Sequence, residues 1–144
     1  MTVFSELLAT EHSLTIKIQL SPIVDNGVPI CAVKINNSVE YYAQLLDTIT
    51  LTKQMPLLEP VDIEISMFDK KYSDERETAV VIKSILIDGF EIVPYYTYLA
   101  EYINDHDYNQ ATSYLGFNGT WRLSVDRPFY QWQHQATNQG WLLP

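Results

Sequence analysis

The sequence predicts an all-β fold, an antiparallel β-sandwich with a short C-terminal helix, and three observations predict it. Between residues 14 and 87 apolar and polar residues alternate with a period of two, which puts one strand face on a core and the other in water. Turn residues that tolerate positive φ interrupt these stretches at short intervals. Clear helical spacing is confined to one segment near the C-terminus.

Taken in order, Thr2 to Thr10 has room for a short N-terminal turn or helix. Leu14, Ile16, Ile18 and Leu20 then alternate with Thr15, Lys17 and Gln19. Cys31, Val33 and Ile35 alternate around Lys34, and Val39 to Leu46 is a further strand candidate. Ile49 and Leu51 alternate with threonines, and Val61, Ile63, Ile65 and Met67 with Asp62, Glu64 and Ser66. Ala79 to Ile87 differs because it is apolar at nearly every position, which marks it as the central, doubly covered strand. Trp121, Leu123 and Val125 flank Arg122 and Ser124 in the last strand.

Asp25-Asn26-Gly27, Asp88-Gly89 and Asn118-Gly119 read as tight turns, and Lys70 to Thr78 as a charged hairpin loop. Prolines 22, 29, 56, 60 and 94 are expected between strands, because proline cannot donate to a ladder. Tyr95 to Ile103 reads as a helix or an irregular arm, with Tyr95, Tyr98, Leu99 and Tyr102 at helical spacing. In Asp126 to Ala136, Asp126 can cap, Pro128 suits a first turn, and Phe129, Trp132 and Ala136 share one face. No repeat, linker or low-complexity tract divides the chain, so residues 1–144 are read as one domain.

The 144 residues carry a net charge of −9. An acidic chain repels phosphate backbones, which disfavours direct nucleic-acid binding. Acidic and basic residues alternate along the strands, so no continuous acidic face imitates DNA. The single cysteine, Cys31, rules out an internal disulfide framework and reads as a small buried hydrophobe. No stretch approaches the ~20 apolar residues of a membrane span, and Met1 to Leu8 lacks the basic n-region of a signal peptide.

No catalytic motif is present: there is no nucleophile elbow, phosphate loop or dinucleotide fingerprint, and the chain has only 5 glycines. Paired carboxylates of a glycosidase would have to come together in the fold without any sequence signature. His12, His106 and His134 lack zinc-type spacing. Asp105, Asp107 and Asn109 have the opening spacing of a calcium loop, but Gln110 stands where the loop needs glycine and Gly116 where it needs a bidentate Glu. Asn104 to Asn109 is therefore expected to be a polar loop without a metal, and no cofactor is expected. Asn36-Asn37-Ser38 and Asn118-Gly119-Thr120 match the glycosylation pattern but read as turns.

The aromatics are unevenly placed. Thirteen of the tyrosines, phenylalanines and tryptophans lie from Phe90 onward, including Trp121, Trp132 and Trp141. Many complete the core, but Tyr95, Tyr96, Tyr98 and Tyr102 exceed what one face of an element buries. With Tyr130 and Trp132, these four are the expected binding residues, for a protein interface or for a glycan.

The run Thr112 to Trp121 (TSYLGFNGTW), then Asp126 to His134 (DRPFYQWQH) and Gln139 to Leu143 (QGWLL), resembles a block in small proteins of tailed marine phages, cyanophages especially. Ile87 to Ile92 (IDGFEI) resembles the same group, and the likeness covers roughly the last 60 residues. It implies synthesis in a host cytoplasm and a virion or host-interaction role, and it supplies no catalytic residues. The resulting expectation is a non-enzymatic binding or structural module that associates with virion proteins or with itself. A carbohydrate-binding module using exposed aromatics is the alternative, and a hydrolase comes third.

Overall fold

The computed structural model describes residues 13–73, 75–107, 112–126 and 128–138, the side chains of 136–138 excepted. The elements are β1 (Ser13–Val24), β2 (Ile30–Ile35), β3 (Ser38–Gln44), β4 (Ile49–Pro56), β5 (Val61–Phe68), β6 (Thr78–Ile87), β7 (Phe90–Val93), β8 (Glu101–Asn104), β9 (Tyr114–Leu115), β10 (Gly119–Val125) and α1 (Phe129–Asn138). One sheet runs β4-β1-β6-β7, with β9 also on β6; the other runs β3-β2-β5-β10-β8. The pairings are antiparallel, as the alternation predicts. The expected N-terminal turn at 2–10 lies outside the described residues.

The two inner faces meet in a single core. Leu14, Ile16, Ile18 and Leu20 of β1 face Cys31, Val33, Ile63, Ile65 and Trp121 of the other sheet, all fully buried. Each large apolar side chain buried this way contributes about 1.5–3 kcal/mol of transfer free energy. Burial also pushes the Cys31 thiol up to about 12, which keeps it a protonated, inert core residue. Phe129 and Trp132 turn one face of α1 onto this core, as their spacing predicts.

β6 is central: β1 covers one edge along its length, and β9 and β7 share the other. Both faces are covered at its start, where Thr78, Ala79 and Val80 are buried in succession, and further along a bulge adds to its apolar character. Gln19 pairs with Ser84 but Leu20 pairs with Ile82, leaving Lys83 as an extra residue. The inward set therefore switches from Val80 and Ile82 to Ile85 and Ile87, so apolar residues of both parities face one core.

Several turns depart from the sequence reading. Asp88 (φ 52°) and Gly89 (φ 81°) form the expected two-residue hairpin, and Asn36 (φ 50°) and Asn37 (φ 66°) form another between β2 and β3. Gly119 is not a turn residue. It opens β10, where an added Cβ would lie 2.2 Å from the Ile103 carbonyl oxygen, so glycine permits the close approach of β8. The 70–78 segment is no hairpin loop, because β5 and β6 belong to different sheets and the segment crosses between them. Pro22 lies inside β1. The register with β4 ends at Leu20, so at Pro22 the strand has one neighbour left, and a missing donor is tolerated there. Tyr95 to Ile103 is an irregular arm with one 3-10 turn (Thr97–Leu99) leading into β8. No helix among the described residues is long and apolar enough to cross a membrane.

Candidate functional site

The six aromatics singled out from sequence do not form one surface. Tyr102 (5% exposed) and Trp132 (9%) are core residues and do not share an exposed surface with the others, though Tyr102 also lines the end cleft described below. Tyr102 is pinned at its polar tip: its hydroxyl donates to the Phe117 carbonyl and accepts from the Phe117 N–H. That satisfies a buried phenol, and burial pushes its titration up to about 12. Tyr130 is exposed on α1 and its hydroxyl donates to Asp88 at the β6–β7 turn. Tyr95, Tyr96 and Tyr98 do come together, on the arm between β7 and β8. Tyr95 (68%) and Tyr98 (61%) are open to solvent, while Tyr96 packs on Phe90.

A more enclosed site lies at the end of the sandwich where the 69–77 segment meets the ends of β8 and β9 and the start of β10. Asn118 assembles it. Its side chain accepts from the Lys70 N–H at 2.8 Å and donates to the Lys70 carbonyl at 3.1 Å, and its own N–H donates to the Tyr72 hydroxyl at 2.9 Å. Its carbonyl accepts from the Asp105 N–H at 3.1 Å. Three segments distant in sequence are thereby clamped around a cleft of about 470 Å³ lined by Lys70, Tyr72, Glu77, His106, Tyr114 and Phe117, among others. That volume falls in the usual range for small-ligand sites, about 300–1,000 Å³.

Rings line the cleft. His106 stacks on Phe117 with centroids 4.3 Å apart and planes 17° from parallel. Tyr72 lies 4.4 Å from His106 and 6.1 Å from Phe117, tilted to both. Beside two of these rings, the Asp105 carboxylate takes a hydrogen bond from the Tyr72 hydroxyl at 2.6 Å and contacts His106 Nδ1 at 2.7 Å. The Tyr72 and His106 hydrogen bonds, in that order, hold Asp105 below the usual carboxylate range. An ionised carboxylate only accepts, so His106 Nδ1 carries the hydrogen, and Nε2 is the acceptor of the neutral ring.

The cleft's cation is spent internally. The Lys70 ammonium, with its side chain 4% exposed, pairs with Glu77, donates to the Gly116 carbonyl and lies 5.2 Å from the centre of the Tyr72 ring. Burial raises Glu77, but the hydrogen bonds from Lys70 and the Thr78 amide outweigh it, and Glu77 titrates below its ordinary value. Tyr114 is pushed up to about 12 by burial, then by the Glu77 charge and its hydrogen bond to that carboxylate. Both displaced carboxyl groups thus move down, whereas a glycosidase acid must be raised. A shallower groove beside Asp62 and Arg122 is internally satisfied, because Arg122 holds Asp62 through Nε and Nη2, each at 2.9 Å, and Ser124 adds a third bond.

Lys70, Tyr72, Glu77 and Phe117 escaped the sequence reading because no spacing links them. The available signal was a tyrosine inside a charged, glycine-free crossing segment, together with the dense polar run at 104–109.

No family model and no curated protein matches the sequence. Two solved structures share the fold. "vCBM60 in complex with galactobiose" matches with a TM-score of 0.51 at 11% identity, covering 78% of this chain and 97% of that one. The selenomethionine form of vCBM60, from work on "two families of calcium-dependent carbohydrate binding modules", matches with a TM-score of 0.53 at 11% identity, covering 78% and 92%. At that identity the likeness establishes the β-sandwich alone. Among the described residues no group of three His, Cys, Asp or Glu side chains is placed to hold a metal, and Asp105 is engaged by Tyr72 and His106. Asn109 of the expected polar loop lies outside the described residues.

Proposed function

We propose that this chain is a non-catalytic carbohydrate-binding module whose glycan occupies the end cleft. The observation that carries the reading is the cluster of Tyr72, His106 and Phe117 rings lining the cleft, two of which, Tyr72 and His106, also hold the neighbouring Asp105 carboxylate. A sugar ring has an apolar C–H face and a rim of hydroxyls. Aromatic rings pack against the first, and a carboxylate with remaining lone pairs accepts from the second. Because Tyr72 and His106 already orient Asp105, little ordering is left to occur on binding.

The charge balance selects among glycans. Lys70, the one Lys or Arg among the described lining residues, is neutralised by Glu77 and also bonds the Gly116 carbonyl, and the neighbouring Asp105 repels a uronate or sulfate. The ligand is accordingly an uncharged oligosaccharide, and galactobiose, which the first neighbour holds, is the first probe. The C-terminal likeness to tailed-phage proteins fits this reading, since such a module would attach a particle to host-surface polysaccharide. Association with protein partners or with other copies loses part of its motive, because Tyr102, Trp121, Phe129 and Trp132 are buried in the chain's own core.

A glycan array followed by calorimetry tests the proposal. Uncharged oligosaccharides bind, and Tyr72→Ala or Phe117→Ala lowers affinity tenfold or more, about 1.4 kcal/mol. Tyr130→Ala, remote from the cleft, leaves affinity unchanged. Absence of binding to any glycan, or equal binding by all three variants, contradicts it.

A further inference from the structure

The exposed arm is not accounted for by the end cleft. Phe90, Tyr96 and Tyr98 form a row of contacting rings: Phe90 and Tyr96 are stacked, with centroids 5.2 Å apart, and pack on the core, while Tyr98 is tilted by 40° at 6.0 Å from Tyr96, so the solvent-facing rings are those of Tyr95 and Tyr98. Tyr95 stands beside the row and Glu91 supplies a carboxylate at its margin. At one end, Gly89 takes a positive φ and an added Cβ there would meet nothing within 4 Å. The backbone beneath is tied down: the Tyr96 N–H donates to the Ile92 carbonyl, the Thr97 hydroxyl to Pro94, and the Leu99 and Ala100 amides to Tyr96 and Thr97.

We infer that this row is a second carbohydrate-stacking surface, taking a stretch of an extended, uncharged polysaccharide chain while the end cleft holds another. The inference rests on the glycan reading of the chain. The exposed rings of Tyr95 and Tyr98, each carrying a hydroxyl at its rim and backed by the Phe90–Tyr96 stack, offer apolar faces on which units of a sugar chain can pack. A protein occupant fits less well. A second copy of the chain would bring its own charge of −9 against this one.

With two sites on one chain, the second binding event becomes intramolecular, and avidity for a long polymer exceeds that for a fragment by roughly 10²–10⁴ where both sites engage. The test compares the whole chain with Tyr95→Ala/Tyr98→Ala, whose exposed rings are removed without touching the core, and with Tyr72→Ala in the cleft. Each is titrated with galactobiose and with soluble galactan, and melting confirms the fold.

The double variant is expected to keep the galactobiose affinity and lose tenfold or more on galactan. An unchanged galactan affinity overturns the second surface and leaves the cleft reading standing. Galactan binding that needs the arm but survives Tyr72→Ala undiminished, with no galactobiose binding, upholds the arm and overturns the cleft. A dimer in sedimentation that the double variant abolishes makes a second copy the occupant, and overturns the inference, as does a chain that binds neither probe.

Discussion

The Tyr102 hydroxyl donates to the Phe117 carbonyl at 2.6 Å and accepts from the Phe117 N–H at 2.9 Å, so one buried side chain satisfies both backbone groups of a residue 15 positions away. The ring of Phe117 is thereby fixed under His106 in the cleft. A tyrosine that composition marks as a surface residue is instead the link between the core and the proposed binding site.

That link has a measurable cost when cut. Tyr102→Phe keeps the packing but removes the hydroxyl that bonds the Phe117 N–H and C=O, a loss of about 0.5–1.5 kcal/mol for each hydrogen bond. Urea unfolding is expected to show this decrease with an unchanged slope, and glycan affinity is expected to fall as well. Wild-type stability in Tyr102→Phe would show that water replaces the hydroxyl without penalty.

The cleft has an acid limit. Asp105 and Glu77 both titrate below their ordinary values in the folded chain. Folding therefore favours their ionised forms: the contribution is complete above their unfolded values, near 3.9 and 4.3, and is lost as pH falls through the lower folded values. With respect to these groups, glycan affinity is expected to hold through the ordinary carboxylate range and to decline only as pH falls below it. Calorimetry across that range checks it, and Asp105→Asn is expected to flatten the decline. A fall that persists undiminished in Asp105→Asn would assign it to another group.

Glycan binding is expected to be independent of calcium. Asp105 is committed to Tyr72 and His106, and the loop that follows it lacks both the glycine and the terminal Glu of a calcium loop. A chelator should leave the affinity as it is. A saturable calcium signal lost in Asp105→Ala would overturn this prediction.

The strand β6 should be the slowest-exchanging segment of the chain, because both its edges are paired and its amides open only with global unfolding. Hydrogen–deuterium exchange read by mass spectrometry should place Ala79 to Ile87 last. Rapid exchange there, with protection elsewhere, would mean that the core is centred on another strand.

Most of the sandwich was legible because its strands are half-buried and write their burial as a period of two. Leu14 to Leu20 and Val61 to Met67 are the plainest cases, and Phe129 with Trp132 does the same for the helix at its own period. Short strands such as β7, β8 and β9, of two to four residues, are below the length at which a period can be read. The bulge at Lys83 hid the inner face of β6, since a one-residue insertion reverses which parity is buried. The arm was visible as surplus tyrosine, though its members divide between core and surface according to whether a hydroxyl finds a partner, as Tyr102 does in Phe117. The end cleft was not visible, because Tyr72, Asp105 and Phe117 are brought together by the hydrogen bonds of Asn118 and Tyr102, and no local spacing records that.

The most direct test of glycan binding in the end cleft is a titration of the 15N-labelled chain with the tightest uncharged oligosaccharide from the array, followed by amide chemical shifts. Saturable shifts are expected to concentrate at residues 70–73, 105–107 and 114–118, the amides of Asn118 and His106 among them, with the helix amides of 129–135 unmoved. Shifts confined to the helix end of the sandwich, or a spectrum unchanged at millimolar ligand, would contradict it.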